Sequence, residues 1–284
     1  MPNRLRISLV IPVYNEESHL ADCLNSVLAQ DVPFYEIIVV DNNSTDATRQ
    51  IAGLFPGVKV IQEARQGVVF ARNTGFDTAS GDIVARIDAD TRLPVDWTRN
   101  LTRIFQDEEQ GAVTGQVSYY DTSLAHTLSI CDRILRRSVA WLLGPNMALQ
   151  GANMALRRDI WHKLHRATCD HGGIHEDFDL AIHIAGAGFS VRYQPSLKAS
   201  VAFRQATSSW LTFASYYWLC PKTYFQHGIP RGKRLVPVVV AIITLYPLLH
   251  LLSKGYNEES QRFSLSTFWN GQPVVRVNPA TFVE

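Results

Sequence analysis

Paired cysteines are missing from this 284-residue sequence: Cys23, Cys131, Cys169 and Cys220 lie far apart and form no CxxC. That argues against a disulfide framework or a zinc knuckle and fits a reducing cytosol. Charge of one sign is missing as well. The formal net charge is only +1, so global electrostatics point to neither nucleic acid nor an acidic partner. No signal peptide is evident, because the apolar run Ile7–Val13 is short, meets Glu16 and Glu17 at once and has no small-residue cleavage site. No GxGxxG follows that run, which disfavours a dinucleotide site of the Rossmann type. Internal repeats and low-complexity linkers are also absent. What remains is a length suited to one large domain, or one domain with an appendage.

What is present begins with an alternation of strand and helix. Ile7–Val13 is apolar throughout, as expected of a strand covered on both faces. Ser18 is positioned to cap a helix whose apolar face is Leu20, Cys23, Leu24, Val27 and Leu28. Glu36–Val40 reads as a second strand, and Thr45 as the cap of a helix reaching Phe55. Val58–Ile61 is a third strand, Gly67 introduces a helix to about Ala79, and Ile83–Ile87 is a fourth strand ending in Asp88-Ala89-Asp90. Such spacing implies a mostly parallel sheet flanked by helices, the α/β class. Further on, the pattern predicts a helix from Pro94 to about Asp107, a strand at Ala112–Val117, and a basic-aromatic helix at Leu124–Leu143. A glycine-punctuated segment Gly144–Arg157, a helix at His175–Ala187 and strands near Val191 and Val201 close the domain.

The last quarter changes character. Leu235–Leu252 runs without a formal charge, interrupted by Pro237, Pro247 and His250. As a helix it would be about 27 Å long against roughly 30 Å of hydrocarbon, a marginal transmembrane length. A re-entrant, interfacial or buried helix is the alternative. Arg231, Lys233 and Arg234 precede it and would hold its N-terminal side in the cytosol. The expected organisation is a catalytic domain over 1–230, a membrane-associated or transmembrane helix over 231–252 and a tail over 253–284, at the cytoplasmic face of a membrane. The helix at Leu124–Leu143 would rest on a membrane surface or pack on the sheet.

Chemistry gathers at the strand ends, where open parallel sheets bind ligands. Strand one ends in Pro12-Val13-Tyr14-Asn15-Glu16, strand two in Asp41-Asn42-Asn43-Ser44-Thr45-Asp46, strand four in Asp88-Ala89-Asp90. Tyr14 would stack on a base while Asp41 or Asn42 reads its edge or the ribose; a tight turn with local hydrogen bonds is the competing account. Asp88 and Asp90 repel each other unless a cation or donors neutralise them. Oxygen ligands without Cys or His suit Mg²⁺ or Mn²⁺. A helix cap before Pro94, or pairing with Arg86 or Arg92, would serve as well. His171, His175, Asp179 and His183 suggest a metal cluster, but crevice lining or surface explains them equally.

Taken in order, Val10-Ile11-Pro12-Val13-Tyr14-Asn15-Glu16-Glu17, Val39-Val40-Asp41-Asn42-Asn43-Ser44-Thr45-Asp46, Gly67 with Ala71-Arg72-Asn73-Thr74-Gly75, and Gly81-Asp82 with Asp88-Ala89-Asp90 resemble glycosyltransferase family 2. The likeness runs over about residues 7–205. It implies a GT-A fold, a nucleotide-sugar donor, Mg²⁺ or Mn²⁺, and inversion at the sugar. It further implies that Pro12, Tyr14, Glu16, Asp41 and Asn42 contact the nucleoside and that Arg72 lies near the nucleotide. Asp88 and Asp90 would form the DxD motif, with Asp90 the more direct metal ligand. Gly151-Ala152-Asn153-Met154 would line the sugar site through Gly151 and Asn153. Glu176-Asp177 would be the catalytic ED pair, with Asp177 the general base; a helix-dipole role is the plain alternative for both.

Two departures qualify the likeness. Asn42 stands where many relatives carry a second Asp. No QxxRW, the mark of processive members, is found; Arg204-Gln205 leads instead into Ala206-Thr207-Ser208-Ser209-Trp210. The expectation is transfer of one sugar to a hydroxyl acceptor, a lipid-linked glycan or cell-envelope precursor, with no nucleic-acid partner. The alternatives are an inactive membrane-associated sugar-binding or assembly protein on the same fold, or a nucleotidyltransferase. The latter is disfavoured by the lack of a glycine-rich, lysine-bearing loop after strand one.

Overall fold

The computed structural model describes residues 5–122, 125–144, 148–171, 173–203, 209–254, 256–257 and 262–263. Most of the tail and the 204–208 segment, with the sequence in place of QxxRW, lie outside the described residues. An eight-stranded sheet, counted over those residues, carries the fold. Its strands are β1 (Ile7–Val13), β2 (Glu36–Asp41), β3 (Val58–Gln62), β4 (Ile83–Arg86), β5 (Thr91–Arg92), β6 (Ala112–Tyr119), β7 (Met154–Arg157) and β8 (Val191–Val201), in the order β3-β2-β1-β4-β7-β6-β8-β5. The β3-β2-β1-β4 half is parallel; β7 runs antiparallel to both β4 and β6, and β6 returns to parallel pairing with β8.

The period of two in the strands builds two layers. Leu9, Ile11, Val13, Ile37 and Val39 face one way and pack on Leu20, Cys23, Leu24 and Val27 of α1 (Leu20–Leu28) and on Trp97 and Leu101 of α4 (Trp97–Ile104). Val10, Ile38 and Val40 face the other way. There they meet Phe76 of α3 (Val68–Thr78), Trp161 of α6 (Arg158–Leu164), and Leu180 and Ile184 of α7 (Glu176–Gly186). Gly75 is needed for this second layer: a Cβ there would overlap the Val10 side chain. α2 (Thr48–Gly53) covers the β2–β3 crossover.

Two expected caps are absent. α1 has His19 at its N-cap with no side-chain cap, and the Glu16 carbonyl accepts from the His19 and Leu20 N–H groups at 3.0 Å each. α2 starts at Thr48, whose N–H donates to Asp46 Oδ1 at 2.9 Å, and the Thr45 N–H donates to Asn15 Oδ1. The strands expected near Val191 and Val201 are one strand. Its register on β6 shifts between Gly115 and Gln116, opposite a segment containing Pro195, which cannot donate to a ladder.

A third group of helices stands beside the sheet: α5 (Ala125–Leu143), α8 (Trp210–Gln226) and α9 (Val236–Lys254). Leu143, Ile182, Cys220, Tyr224 and Leu235 form a small cluster that ties them to α7. α9 overlaps the apolar run at 235–252. Among the described residues, no helix is long and apolar enough to cross a membrane.

Candidate active site

Because β2, β1 and β4 are neighbours and parallel, their C-terminal ends share one edge of the sheet. Two asparagines in the left-handed region, Asn15 (φ 53°) and Asn43 (φ 64°), turn the chain there, a conformation Asn tolerates better than most residues. The two turns are laced together. Asn15 N–H donates to Ser44 Oγ at 3.1 Å, Thr45 N–H to Asn15 Oδ1 at 2.8 Å, and Glu16 N–H to Thr48 Oγ1 at 2.7 Å. Pro12, Tyr14 and Glu16 sit half-buried on this edge, and Asp41 is buried with Oδ1 accepting from Ser44 N–H at 3.2 Å.

Asn42 is occupied differently from the expected base contact. Its Nδ2 donates to the Glu63 and Arg65 carbonyls at 2.9 and 2.7 Å, and its Oδ1 accepts from Gly67 N–H at 2.7 Å. These bonds take up the amide, so Asn42 acts as a bracket for the β3–α3 loop. Glu63 anchors the same loop, paired with Arg65 and accepting from Thr74 Oγ1, and these bonds hold its carboxyl at about 2 despite partial burial.

Arg72 is fully buried; its Nη1 donates to the Glu176 carbonyl at 2.8 Å and its Nη2 to Asn73 Oδ1 at 2.9 Å. It braces the start of α7 from α3.

The β4 end holds a residue whose importance the sequence reading left open. Arg86, 3 % exposed, donates from Nη1 to Asp177 Oδ1 at 2.8 Å and from Nη2 to Asp88 Oδ1 at 3.3 Å, and lies 3.5 Å from Glu176 Oε1. One guanidinium thus joins the two acidic motifs. The available signal was a lone Arg in the apolar run Ile83-Val84-Ala85-Arg86-Ile87, since a buried charge needs partners.

The second oxygen of Asp177 accepts from Gly151 N–H at 2.6 Å. Gly151 has to be glycine here, as a Cβ would overlap the Arg86 guanidinium. Burial pushes the Asp177 carboxyl up, but Arg86, His175 and the Gly151 N–H outweigh it and leave the pKa below its ordinary value.

Asp88 shows the opposite balance. Burial raises it, Arg86 opposes, and Asp90, Asp177 and Glu176 raise it further, to about 6. Its side chain is still 45 % exposed, so this is crowding at the mouth of a cleft. The surplus negative charge there is what a hard divalent cation would relieve, and carboxylate oxygens from Asp88 and Asp90 fit Mg²⁺ or Mn²⁺.

A single cavity of about 290 Å³ collects Asp88, Asp90, Gly151 and Asp177. It continues between Val139 of α5, Phe213 and Tyr217 of α8 and Val239 of α9, with Asp132 and Arg136 of α5 also on its wall, so an acidic mouth opens onto a mostly apolar groove. Asn153 does not join it. That side chain is buried, donating from Nδ2 to the Gln116 and Leu197 carbonyls and accepting from Trp97 Nε1–H at 3.0 Å. Pro12, Tyr14, Glu16, Asp41 and Arg72 lie outside this cavity as well.

The histidines suggested as one metal cluster separate in the fold. His175 packs edge-on against Phe178, with ring centroids 4.8 Å apart, whereas Asp179 and His183 turn to the far side of α7.

The model of the family described as Glycosyl transferase family 2 matches residues 8–164, more than half of the chain and every strand end just described. The chain belongs to glycosyltransferase family 2. Glycosyltransferase AglE of Haloferax volcanii is 41 % identical over 161 residues, which cover 54 % of this chain and 53 % of that protein. The probable glycosyltransferase YdaM of Bacillus subtilis is 27 % identical over 72 % of this chain and 52 % of its own length. The chain spans about half the length of the curated relatives it matches. Among solved structures, the mannosyltransferase PcManGT from Pyrobaculum calidifontis, in complex with GDP-Man and Mn²⁺, is similar with a TM-score of 0.59. The identity is 23 %, over 88 % of this chain and 73 % of that one. That likeness is one of fold, and it makes the mixed sheet with its flanking helices a GT-A fold. This family 2 member therefore carries its Asp88-Ala89-Asp90 turn and its α7 carboxylates at one cleft.

Proposed function

We propose that this chain is an inverting, metal-dependent glycosyltransferase. It would move one sugar from a nucleoside diphosphate donor to a hydroxyl of a lipid-linked acceptor, at the cytoplasmic surface of a membrane. The observation that carries this reading is the continuity of the cavity: its mouth is lined by Asp88, Asp90 and Asp177, and its far wall mostly by apolar side chains of α5, α8 and α9 such as Val139, Phe213 and Val239, with the Asp132–Arg136 ion pair of α5 among them. A polar reacting end and an apolar tail would each find a matching surface.

In this reading Asp88 and Asp90 hold Mg²⁺ or Mn²⁺, which when bound neutralises charge developing on the departing diphosphate. PcManGT, similar in fold, was solved in complex with GDP-Man and Mn²⁺, which supports that choice. Pro12, Tyr14, Glu16 and Asp41 offer the nucleoside an edge beside the acidic turn, with Asn42 and Arg72 supporting the loop and helix around it. Asp177 takes the acceptor proton. Each of its oxygens makes one hydrogen bond, so each keeps a lone pair for that proton. General-base help of this kind is worth about 10²–10⁴-fold. Glu176 would orient Arg86, and Gly151 the carboxylate of Asp177. A single displacement from the face opposite the diphosphate inverts the anomeric centre.

What the three helices leave outside supports seating at a membrane. Ile134 and Trp141 on α5, Leu211 and Trp218 on α8, and Leu245 and Leu248 on α9 are exposed, Trp141 at 83 %. Exposed large apolar side chains suit an interaction surface, and Trp favours the level of lipid headgroups. Exposed Arg133 and Arg137 flank it and suit anionic lipid. Residues 1–230 would form the catalytic unit, with 231–252 completing the acceptor side through Leu235, Val239 and Ile242.

The test is a thermal-shift panel of nucleotide sugars with Mn²⁺, since a true donor stabilises the folded chain by mass action. Transfer to lipid-linked and tail-less forms of one saccharide is then measured. A stabilising donor and a marked preference for the tailed acceptor are expected. No donor effect together with no sugar release would overturn the enzyme, and equal use of both acceptors would overturn the lipid-linked assignment.

A further inference from the structure

Behind the active site, α7 carries a second set of ligand-type side chains. Asp179 and His183 lie one turn apart on the face of α7 turned away from the cavity. Cys169, from the α6–α7 connection, and His227, the first residue after α8, converge on them. A sulfur, a carboxylate oxygen and two imidazole nitrogens lie within 4.8 Å of one another. Asp179, fully buried, is the hub. Its Oδ1 stands 2.8 Å from His227 Nε2 and 3.4 Å from His183 Nε2, and its Oδ2 accepts from Cys169 N–H at 3.0 Å. His183 Nε2 is buried without a hydrogen-bond partner, although it points into the cluster. The two imidazoles meet nearly at right angles, with centroids 5.0 Å apart.

We propose that Cys169, Asp179, His183 and His227 form a structural Zn²⁺ site. The ligand types decide the metal: one thiolate and two imidazoles beside one carboxylate suit zinc and poorly suit the hard cations that Asp88 and Asp90 would take. Four protein ligands leave no open position, which marks a structural site as opposed to a catalytic one. Tetrahedral zinc at ordinary bond lengths sets its ligand atoms about 3.3–3.7 Å apart. Two of the contacts are already at or inside that range, and side-chain rotation of about 1 Å closes the others. The unsatisfied His183 Nε2 then has a partner, and Asp179 no longer shares one oxygen between two rings.

The site would staple three pieces of chain that share no β-ladder: the α6–α7 connection, α7 and the end of α8. Asp179 is two residues from Asp177, so the staple fixes the helix whose first turn holds Glu176 and Asp177. His175 N–H donates to Thr223 Oγ1 of α8 at 2.8 Å, and Arg72 holds the Glu176 carbonyl, so α7 is tethered at both ends of its first two turns. The site is argued from its own ligands and stands whether or not the chain transfers sugar.

The experiment is metal analysis of the purified full chain, grown with zinc and dialysed against metal-free buffer. About one zinc per chain is expected, unchanged in Asp88→Asn and Asp90→Asn. A drop of about tenfold is expected in His227→Ala, where a ligand is lost at a helix end. Cobalt loaded in place of zinc should give tetrahedral d–d bands and a thiolate-to-cobalt charge-transfer band, and Cys169→Ser should lose the latter. A wild-type chain without zinc and without the cobalt bands would overturn the proposal and leave a metal-free His–Asp–His cluster. So would zinc that survives His227→Ala undiminished, or that disappears in Asp90→Asn. The wild-type measurements decide the matter even if a variant fails to fold.

Discussion

Two acidic pairs share one cleft and are treated in opposite ways. At the end of β4, Asp88 meets Arg86 at 3.3 Å, and burial, with Asp90, Asp177 and Glu176 nearby, raises it to about 6 against the pull of that guanidinium. At the start of α7, Asp177 has Arg86 at 2.8 Å and the Gly151 N–H at 2.6 Å, and its pKa is lowered. The same guanidinium serves both, with better geometry toward Asp177. Asp177 is thus held in one direction by a guanidinium and an N–H, whereas Asp88, raised by burial and its acidic neighbours, is the carboxylate that a bound cation would favour in its ionised form. A pair that was fully compensated at both places would have no reason to bind a metal.

The most severe way to break this contrast is to remove a carboxylate of the β4 turn. Asp90→Ala should abolish turnover and Mn²⁺-dependent donor binding while far-ultraviolet circular dichroism and Tm stay near those of the wild type. Full activity in the presence of a strong chelator would refute the assignment of the cation to this turn. Next in size is the compensated side. Asp177→Asn keeps an acceptor for the Gly151 N–H, so donor binding should persist while turnover falls about 10²-fold or more. An unchanged rate would move the base elsewhere.

The third perturbation acts on the shared partner and is read in stability. Arg86→Leu leaves Asp177 buried without its directly paired cation, and breaking a buried pair from one side costs about 3–5 kcal/mol. Denaturant unfolding of Arg86→Leu alone and combined with Asp177→Asn checks this: the double variant should recover part of the loss, because the uncompensated charge is gone. Purely additive effects would mean that Arg86 and Asp177 are not energetically coupled.

How far these features were legible follows from what kind of signal each left. β1, β2 and β4, with their polar ends, were readable because doubly covered parallel strands are apolar runs that stop abruptly at chemistry. That they adjoin is a consequence of the crossovers such runs imply. The side-chain bonds of Asn42 and Asn153 were not legible for one shared reason: a polar side chain in a loop motif looks the same in sequence whether it faces ligand or carbonyls. Both are brackets, Asn42 for the β3–α3 loop and Asn153 between Gln116, Leu197 and Trp97. Caps at Ser18 and Thr45 were not formed because both helices begin later than expected, with His19 and Ala47 at the N-cap positions. His183 belongs with Cys169 and His227, which are 14 residues before it and 44 after it. Spacing along the chain carries no trace of that meeting.

The smallest effect tests the contrast itself, through the pH dependence of stability without divalent ions. Asp88 has a folded-state value of about 6 against an ordinary 3.8, so between these values the folded chain holds a proton that the unfolded chain has released. Its contribution to stability therefore falls as pH rises through that window. Asp177 is lowered from 3.8, so its contribution is fully present above that value and is lost as pH falls toward its folded-state pKa. The two slopes have opposite signs and occupy adjacent windows. Asp88→Asn should flatten the decline between about 4 and 6 and leave the acid limb, whereas Asp177→Asn should weaken the acid limb and leave the decline. Mn²⁺ should flatten the same decline in the wild type, because a cation held by the β4 turn favours the ionised form of Asp88. If both substitutions changed the same limb, the two pairs would be one coupled acid cluster, and the division of labour between them would fail.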